Sequence, residues 1–291
     1  MIQASRLSSS GFSGGSPSAM YAMTGTLSAI TAALPPASTP VDTVASCTDL
    51  SPTMHIPLIN NGTDWVLRSG SSVIQKSSLA RGVAPSGTIS TGSSGNITLG
   101  TALTRVYDAG CYLYLPDIAT TPAITAGLYW CVMSSTTVGT VYASKGGAAI
   151  NFSVGSAFTG ATTEVTLATI SLPAYAFGLD GGLNVTYGSA YNNGAGGKTT
   201  RLRLDGSTAI NVSGTTSLSQ QNQFRIVNCG SYSKQKYFSG GGFAYANSAA
   251  AFGTATVDTT AAFSFTITGQ HGTNATDTYM LEYYEVELCR W

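Results

Sequence analysis

From residue 101 onward, the sequence is a series of short apolar runs that are separated by turn residues and show no helical period. In several runs apolar and polar residues alternate, as at Leu183, Val185 and Tyr187, which gives a strand one apolar face. Short strands at this spacing are typical of sandwiches and jelly rolls. The sequence therefore predicts an all-β chain, with an antiparallel jelly-roll sandwich over residues 86–291.

Strand-like runs also occupy residues 43–68, where turn residues such as the Asn-Asn-Gly at 60–62 separate them. A Gly/Ser-rich connection with weak strand character follows at residues 84–100. We therefore expect a small β module over residues 41–85, with a domain boundary directly after it.

The amino-terminal part begins with a Ser/Gly-rich arm over residues 1–15, after which Ser16 and Pro17 suit the start of a short helix. Apolar residues then recur at helical spacing, which is typical of an amphipathic seam. The seam consists of Met20, Met23, Leu27, Ile30 and Leu34. Such a seam packs either on its own domain or against a second copy. We expect residues 1–40 to serve attachment or trimerisation, with Met20, Met23, Leu27 and Ile30 at a subunit interface.

Residues 126–144 read AGLYWCVMSSTTVGTVYAS and predict a hairpin with strands at 127–133 and 138–143. The first strand is apolar on both faces. We expect Leu128, Trp130 and Val132 to fill the sandwich core. The opposite face, formed by Tyr129, Cys131 and Met133, would be an exposed apolar patch in a monomer. Either a second layer of the same chain or a neighbouring subunit would cover it, and the low charge content of the chain favours the neighbouring subunit.

The composition favours a part of a larger assembly. Only 9% of the residues are charged, against a typical ~25%, and 13 basic residues balance 13 acidic ones. A surface with so few charges promotes association. The balanced charge gives no basic footprint for a nucleic-acid partner. There is no apolar run long enough to cross a membrane and no secretory leader, so we expect no membrane insertion.

Three short motifs suggest chemistry but stand in the wrong context. Residues 192–199 read NNGAGGKT, like a phosphate-binding loop, yet strand-like runs flank them where a helix is needed, so we expect a hairpin tip. Residues 11–15 match the pattern of a nucleophilic serine but have no strand before them. Glu285 and Glu287 share an outward strand face, beside Glu282. We predict no catalytic residue and no cofactor.

The sequence also predicts no metal site. His55 and His271 are not at ligand spacing from other ligands, and we expect His271 in a surface turn. The cysteines are odd in number, widely spaced and without a C-x-x-C pair, which favours buried free thiols. They are Cys47, Cys111, Cys131, Cys229 and Cys289.

Two Gly-rich loops with tyrosines and lysines are the candidate surfaces for contact with another molecule. Tyrosines that are flanked by Gly, Asn, Ser and Lys favour a surface position, where their rings suit sugar or protein recognition. The loops lie at residues 192–198 and 231–242. The candidate contact residues are Tyr191, Asn192, Asn193, Lys198, Tyr232, Lys234, Lys236 and Tyr237.

Two segments resemble bacteriophage virion proteins. Residues 34–70 contain a Pro-Ala-Ser lead, a Thr-Asp pair and the turn Asn-Gly-Thr-Asp-Trp at 61–65, which resembles a small β module in the amino-terminal parts of phage fibre proteins. Residues 84–291 are similar to carboxy-terminal jelly-roll domains of tail-fibre, head-fibre and receptor-binding proteins. The matching runs are AGLYWCVMSSTTVGTVY, LPAYAFGLDGGLNVTY, KTTRLRLDG, FRIVNCGS and DTYMLEYYEVEL. The resemblance implies a trimeric β-rich part of a phage particle, without a catalytic motif.

The expected function is that of a non-enzymatic virion protein, assembled in the host cytoplasm and exposed on the outside of the particle. The amino-terminal region would attach a homotrimer to other tail or head proteins, and the jelly roll would bind a bacterial surface glycan or protein. Equal loops at one threefold tip would gain affinity through multivalency. Two alternatives stay open, which are a capsid decoration or minor head protein and a capsule polysaccharide depolymerase.

Overall fold

The structure is a computed structural model, and strands dominate it. It describes residues 21–51, 55–68, 71–85, 87–119, 121–152, 157–192, 194–215, 218–239, 253–272 and 277–290. Among these residues there is one α-helix, α1 (Leu27–Ala33). The all-β prediction is therefore confirmed. The predicted arm and the helix start at Ser16 lie outside the described residues.

The amino-terminal part forms α1 and a four-stranded sheet in the order β1-β2-β3-β4. Its strands are β1 (Thr24–Gly25), β2 (Val44–Cys47), β3 (Ile56–Asn60) and β4 (Trp65–Leu67). The helix begins later than the sequence predicts, because the Thr26 side chain accepts a hydrogen bond from the backbone N–H of Ala29 at 3.1 Å and so caps it. Strands β2, β3 and β4 lie within residues 41–85, where the sequence predicts the small β module, whereas β1 and α1 lie before it.

The middle of the chain supplies short strands on either side of a 3₁₀ turn at Ser93–Gly95. They are β5 (Ser71–Ser77), β6 (Arg81–Val83), β7 (Thr88–Thr91), β8 (Asn96–Leu99), β9 (Cys111–Leu115), β10 (Gly127–Met133), β11 (Val138–Tyr142) and β12 (Ala157–Thr159). Strands β10 and β11 pair as an antiparallel hairpin across a four-residue turn. This confirms the hairpin that the sequence predicts for residues 127–143.

The last part of the chain contains the longest strands. They are β13 (Val165–Leu172), β14 (Gly181–Tyr191), β15 (Lys198–Leu204), β16 (Ser207–Gly214), β17 (Ser219–Asn228), β18 (Gln235–Ser239), β19 (Gly253–Ala255), β20 (Phe263–His271) and β21 (Tyr279–Arg290). The predicted alternation holds in β14, where Leu183, Val185 and Tyr187 are fully buried.

Besides the amino-terminal sheet, the described strands form two further sheets. One has the order β13-β20-β15-β16. The other has the order β12-β7-β8-β11-β10-β9-β6-β21-β14-β17-β18-β19, with β5 paired to the far part of β21. Strands β14 and β15 follow each other along the chain but belong to different sheets. The loop at 192–197 is therefore a crossing between sheets, and the expected hairpin tip is wrong.

The described residues pack into two apolar cores. The first core lies between the β13-β20-β15-β16 sheet and the strands β21, β14 and β17, and α1 and the amino-terminal sheet add to it. The second core is built by β7 to β11, with Met280 from β21. Isoleucine and leucine residues dominate both, as close-packed interiors require.

The expected boundary after residue 85 falls inside the large sheet. Strand β5 pairs with β21 from Ser77 to Ser71, and β6 pairs with both β21 and β9. Ile74 of β5 and Val83 of β6 are buried in the first core. The small module thus supplies strands to the following domain, and the Gly/Ser-rich connection at 84–100 contains two strands, β7 and β8.

Candidate functional site

The face of strand β10 that the sequence assigns to a subunit interface is instead the one buried in its own chain. Cys131 and Met133 are fully buried in the second core of their own chain, so their assignment to a subunit interface is wrong. Tyr129 is half-buried at the edge of the same core, and its hydroxyl donates to the carbonyl of Thr125 at 2.8 Å. Strands β7 and β8 cover this face, and they were not predicted to do so because they lie in a Gly/Ser-rich segment.

The opposite face of β10, formed by Leu128, Trp130 and Val132, is the half-exposed one. Trp130 is only 5% exposed, yet it lies against Tyr112 and under Lys145 and belongs to neither core. Val132 is half-buried, and Leu128 touches the first core from its edge. With β9 and β11, these side chains form the outer face of β9–β11. It consists of Tyr112, Tyr114, Leu128, Trp130, Val132, Val138, Thr140 and Tyr142.

The helical seam packs on its own domain. Leu27 and Ile30 are 2% and 0% exposed within the first core, and Met23 contacts the same core. Their assignment to a subunit interface is therefore wrong for Leu27 and Ile30. Met20 lies outside the described residues.

The first group of candidate receptor contacts is also largely buried. Tyr191 and Lys198 are buried, so their assignment as receptor contacts is wrong, while Asn192 is half-buried and accepts from the N–H of Thr278 at 2.7 Å. Asn193 lies outside the described residues. The ammonium group of Lys198 lies 3.2 Å from the carboxylate of Asp277, and both side chains are fully buried.

Glycine in this loop makes room for the buried ion pair. A side chain at Gly196 would collide with the carboxylate of Asp277. His271, the strand partner of Lys198, is fully buried, and its Nε2 lies 2.8 Å from the carbonyl oxygen of Ala84. The expected surface turn at His271 is therefore wrong, because β20 extends through it.

In the second candidate loop, some of the described residues lie at the surface. Lys234 and Lys236 are exposed, and Tyr237 is half-buried against the first core. Tyr232 instead lines a cleft between the loops of the sandwich and the amino-terminal module. The cleft has a volume of about 200 Å³. We call it the aromatic cleft, and its lining residues are Leu27, Thr31, Pro36, Thr63, Asp64, Trp65, Tyr175 and Tyr232.

Two tyrosines form adjoining walls of the aromatic cleft. Their ring centres are 5.4 Å apart, with the planes of Tyr175 and Tyr232 at 88°. Tyr175 is 40% exposed and has φ = 62°, in the left-handed region that side chains rarely adopt. Its N–H donates to the carbonyl of Thr259 at 2.8 Å, which holds it there. Backbone strain of this kind is found mainly at functional sites.

A buried carboxylate forms the base of the aromatic cleft. Asp64 is 9% exposed, and its Oδ1 accepts the hydroxyl proton of Tyr232 at 2.5 Å. Its Oδ2 accepts from the N–H of Leu179 at 3.3 Å. Burial, and then the hydrogen bond to Asp64, raise the pKa of Tyr232 well above its usual value. The phenol therefore stays a donor to the carboxylate at every physiological pH.

Local turn chemistry positions the carboxylate. The Asn61 side chain accepts from the backbone N–H groups of Thr63 and Asp64 at 2.9 and 2.6 Å, which folds the β3–β4 turn. Gly62 in this turn has φ = 93°. The indole N–H of Trp65 donates to the carbonyl of Leu34 at 2.9 Å and so fixes the ring beside the helix end.

A buried amide network positions Tyr232. The Gln235 side chain donates to the Asn228 side chain at 2.8 Å and to the carbonyl of Tyr232 at 3.2 Å. Asn228 in turn donates to the carbonyl of Gly178 and to the hydroxyl of Thr259. Both amides are almost fully buried. Such satisfied networks are rigid, so the aromatic cleft has preformed walls.

Two carboxylates of β21, those of Glu282 and Glu287, have partners on the protein. Glu282 accepts from Arg105 at 2.9 Å and from the hydroxyl of Tyr107 at 2.5 Å. Glu287 accepts from the Asn184 side chain at 3.3 Å. Glu285 and Glu287 lie on the outward face, as the sequence predicts, with Tyr284, Val286 and Leu288 buried behind them. Four of the five cysteines are buried free thiols, and Cys229 is exposed.

No protein-family model matches the sequence, and no curated protein matches it. Within the described residues, no three His, Cys, Asp or Glu side chains are arranged to hold a metal ion. In the same part of the chain, no helix has the length and apolar character needed to cross a membrane.

Proposed function

We propose that this chain is a non-enzymatic structural protein of a bacteriophage virion. In this proposal it assembles as a homotrimer, is exposed on the outside of the particle, and binds the surface of the host cell through its jelly-roll domain. The amino-terminal region attaches the trimer to a neighbouring tail or head protein. The resemblance of residues 34–70 and 84–291 to phage fibre proteins supports the proposal.

The strand order is the observation that carries the jelly-roll assignment. Eight strands, taken in chain order, are β5, β13, β14, β15, β16, β17, β20 and β21. Numbered one to eight, they lie in the orders 1-8-3-6 and 2-7-4-5 in two sheets around the first core. Two sheets of four strands built from Greek-key connections are the jelly-roll arrangement.

The outer face of β9–β11 is the surface that we assign to the contact between subunits. It presents a half-exposed row of apolar and aromatic side chains, including Val132 and the 40% exposed Val138. Aromatic residues are enriched in the centres of interfaces, where charged residues are depleted. The low charge content of the whole chain agrees with a surface that is partly covered by other subunits.

The first test is the mass of the purified chain in solution. Light scattering after size exclusion should give close to three times 29.8 kDa. A stable monomer at micromolar concentration would remove the trimer from the proposal. A dimer would contradict the threefold arrangement in the same way.

The second test separates host attachment from a role in the capsid. Antibodies against the chain should label the tail or the fibres of a phage particle that contains it, and the purified protein should compete with the phage for adsorption. Labelling of the capsid faces without competition would favour the decoration protein instead. Clearing of capsule by the purified protein would favour the depolymerase.

A further inference from the structure

The aromatic cleft carries one charged group, and that group is negative. The Asp64 carboxylate lies at its base, and no Lys or Arg side chain is among the described residues that line it. A buried carboxylate without a cationic partner attracts a positive ligand, because the surrounding protein screens the charge less than water does. The charge of the cleft thus favours a cation over an anion.

The walls of the aromatic cleft suit an organic cation. The ring of Tyr175 stands at 88° to that of Tyr232, and Trp65 provides a third ring. Aromatic faces carry a negative potential and attract cations within about 6 Å of the ring centre. Perpendicular rings around a cavity contact a rounded alkylammonium group on more than one side.

Three of the hydrogen-bond donors that line the aromatic cleft are occupied by the protein itself. The Tyr232 hydroxyl donates to Asp64, the Trp65 indole to the carbonyl of Leu34, and the Thr31 hydroxyl to the carbonyl of Leu27. An anion or a neutral polyol needs several donors, and of the lining side chains only the hydroxyls of Thr63 and Tyr175 are left to supply them. A quaternary ammonium group needs none. The volume of about 200 Å³ is below the ~300–1,000 Å³ of pockets for drug-sized ligands, so it fits a small group.

We propose that the aromatic cleft binds an alkylammonium group against the rings of Tyr175, Tyr232 and Trp65 and near the Asp64 carboxylate. This goes beyond attachment to a host surface, since it concerns the ligand chemistry of a cleft and holds for the purified chain whatever its place on a particle. Two sources supply such a group, namely a choline substituent and the amine of an amino sugar.

The test compares ligands of the same shape and different charge. The full-length chain is titrated by calorimetry and NMR with choline, with tetramethylammonium and with 3,3-dimethylbutanol, the neutral isostere of choline. We expect saturable binding of both cations and much weaker binding of the alcohol. Equal binding of choline and the alcohol, or no saturable binding of either cation at millimolar concentration, would overturn the proposal. Titration with glucosamine then distinguishes the amino sugar from choline as the better source.

Variants of one exposed ring locate the binding. Tyr175→Leu should weaken choline binding by about two- to thirtyfold, the range that the loss of one cation–π contact produces. Tyr175→Phe keeps the ring and should bind as the unchanged chain does. Tyr129→Leu, which removes a half-buried tyrosine outside the cleft, is the matched control. Unchanged binding in Tyr175→Leu would place the cation elsewhere and contradict the assignment.

The role of the negative charge on Asp64 is tested with a separate variant. Asp64→Asn retains an oxygen that accepts the Tyr232 hydroxyl but removes the negative charge. We expect it to lose the preference for choline over the alcohol while its thermal unfolding stays cooperative. A variant that keeps the full preference would show that the carboxylate does not select the ligand. The comparison of ligands on the unchanged chain stands even if this variant does not fold.

Discussion

At the residue scale, the most demanding contact is the buried ion pair of Lys198 and Asp277. Besides the carboxylate at 3.2 Å, the ammonium group donates to the carbonyl oxygens of Gly194 and Thr215 at 2.7 and 2.9 Å. Breaking a buried pair leaves a charge without a partner, which costs about 3–5 kcal/mol. We therefore expect Lys198→Met to lower the free energy of unfolding by about this amount, as measured by urea denaturation.

The matching control removes both charges. Lys198→Met with Asp277→Leu should recover much of the stability, because apolar groups often replace a buried ion pair at little cost. Receptor contact at this position would instead leave the unfolding of Lys198→Met unchanged and reduce only binding. A single variant as stable as the original chain would contradict the structural role.

Glu164 is the second residue with a large electrostatic role. Its carboxylate accepts from the Arg203 guanidinium through two bonds of 2.7 Å, and also from Arg201 and Thr268. These contacts, with the Arg203 hydrogen bonds first, lower the pKa of Glu164 from 4.5 to about 2. Since the pKa is lower in the folded state, the stabilisation is present above pH 4.5 and is lost as the pH falls toward 2.

The lowered pKa of Glu164 gives a prediction about the pH dependence of stability. Glu164→Gln should reduce stability near neutral pH and should flatten the fall in unfolding free energy between pH 4.5 and about 2. Denaturation curves at several pH values measure both effects. Glu285→Gln, on the outward face of β21, is the control with the same chemical change. An identical pH profile for Glu164→Gln and the original chain would contradict the assignment.

At the element scale, β10 separates a core role from an interface role between neighbouring residues. Met133→Asp places a charge in the second core, where loss of a buried Met side chain alone costs about 2–5 kcal/mol, so we expect unfolding. Val132→Asp alters the outer face of β9–β11 and should dissociate the assembly while leaving the subunit folded. Circular dichroism and light scattering distinguish the two outcomes. A folded, dissociated Met133→Asp would restore the original assignment of the faces.

The elements that the sequence predicts well are those with local signals. The β10–β11 hairpin and the alternation in β14 follow from side-chain periodicity within a few residues. Which face of β10 is covered depends on β7 and β8, whose Ser, Thr and Gly residues give a weak pattern. The GAGG loop at 194–197 looks like an exposed turn, whereas Gly194 and Gly196 make room for Asp277.

The candidate site was only partly predictable for the same reason. The turn with Asp64 and Trp65 and the surface tyrosine Tyr232 are recognisable from composition and turn chemistry. Tyr175 carries no signal in the sequence, because its strained backbone is held by a contact with Thr259. Thr31, Asp64, Tyr175 and Tyr232 come from four separate segments, so only the folded chain brings them together.

At the scale of the whole molecule, the pairing of β5 with β21 joins the amino-terminal module to the sandwich. Ile74 is 2% exposed in the first core, together with residues of β14, β20 and β21. Removing it therefore weakens both parts at once, since the first core contains residues of the amino-terminal sheet as well as of the two sheets of long strands. We expect Ile74→Ala to lower the free energy of unfolding by about 2–5 kcal/mol and to preserve a single transition.

Calorimetry and hydrogen exchange check this prediction on the full chain. The amides of β5 and β6 should exchange as slowly as their partners in β21 and should be exposed in the same event, because their hydrogen bonds belong to one sheet. Val41→Ala, at a 61% exposed position of the module, is the control that should change little. Two separate transitions, with residues 41–85 opening before the sandwich, would instead support an independent module that ends at residue 85.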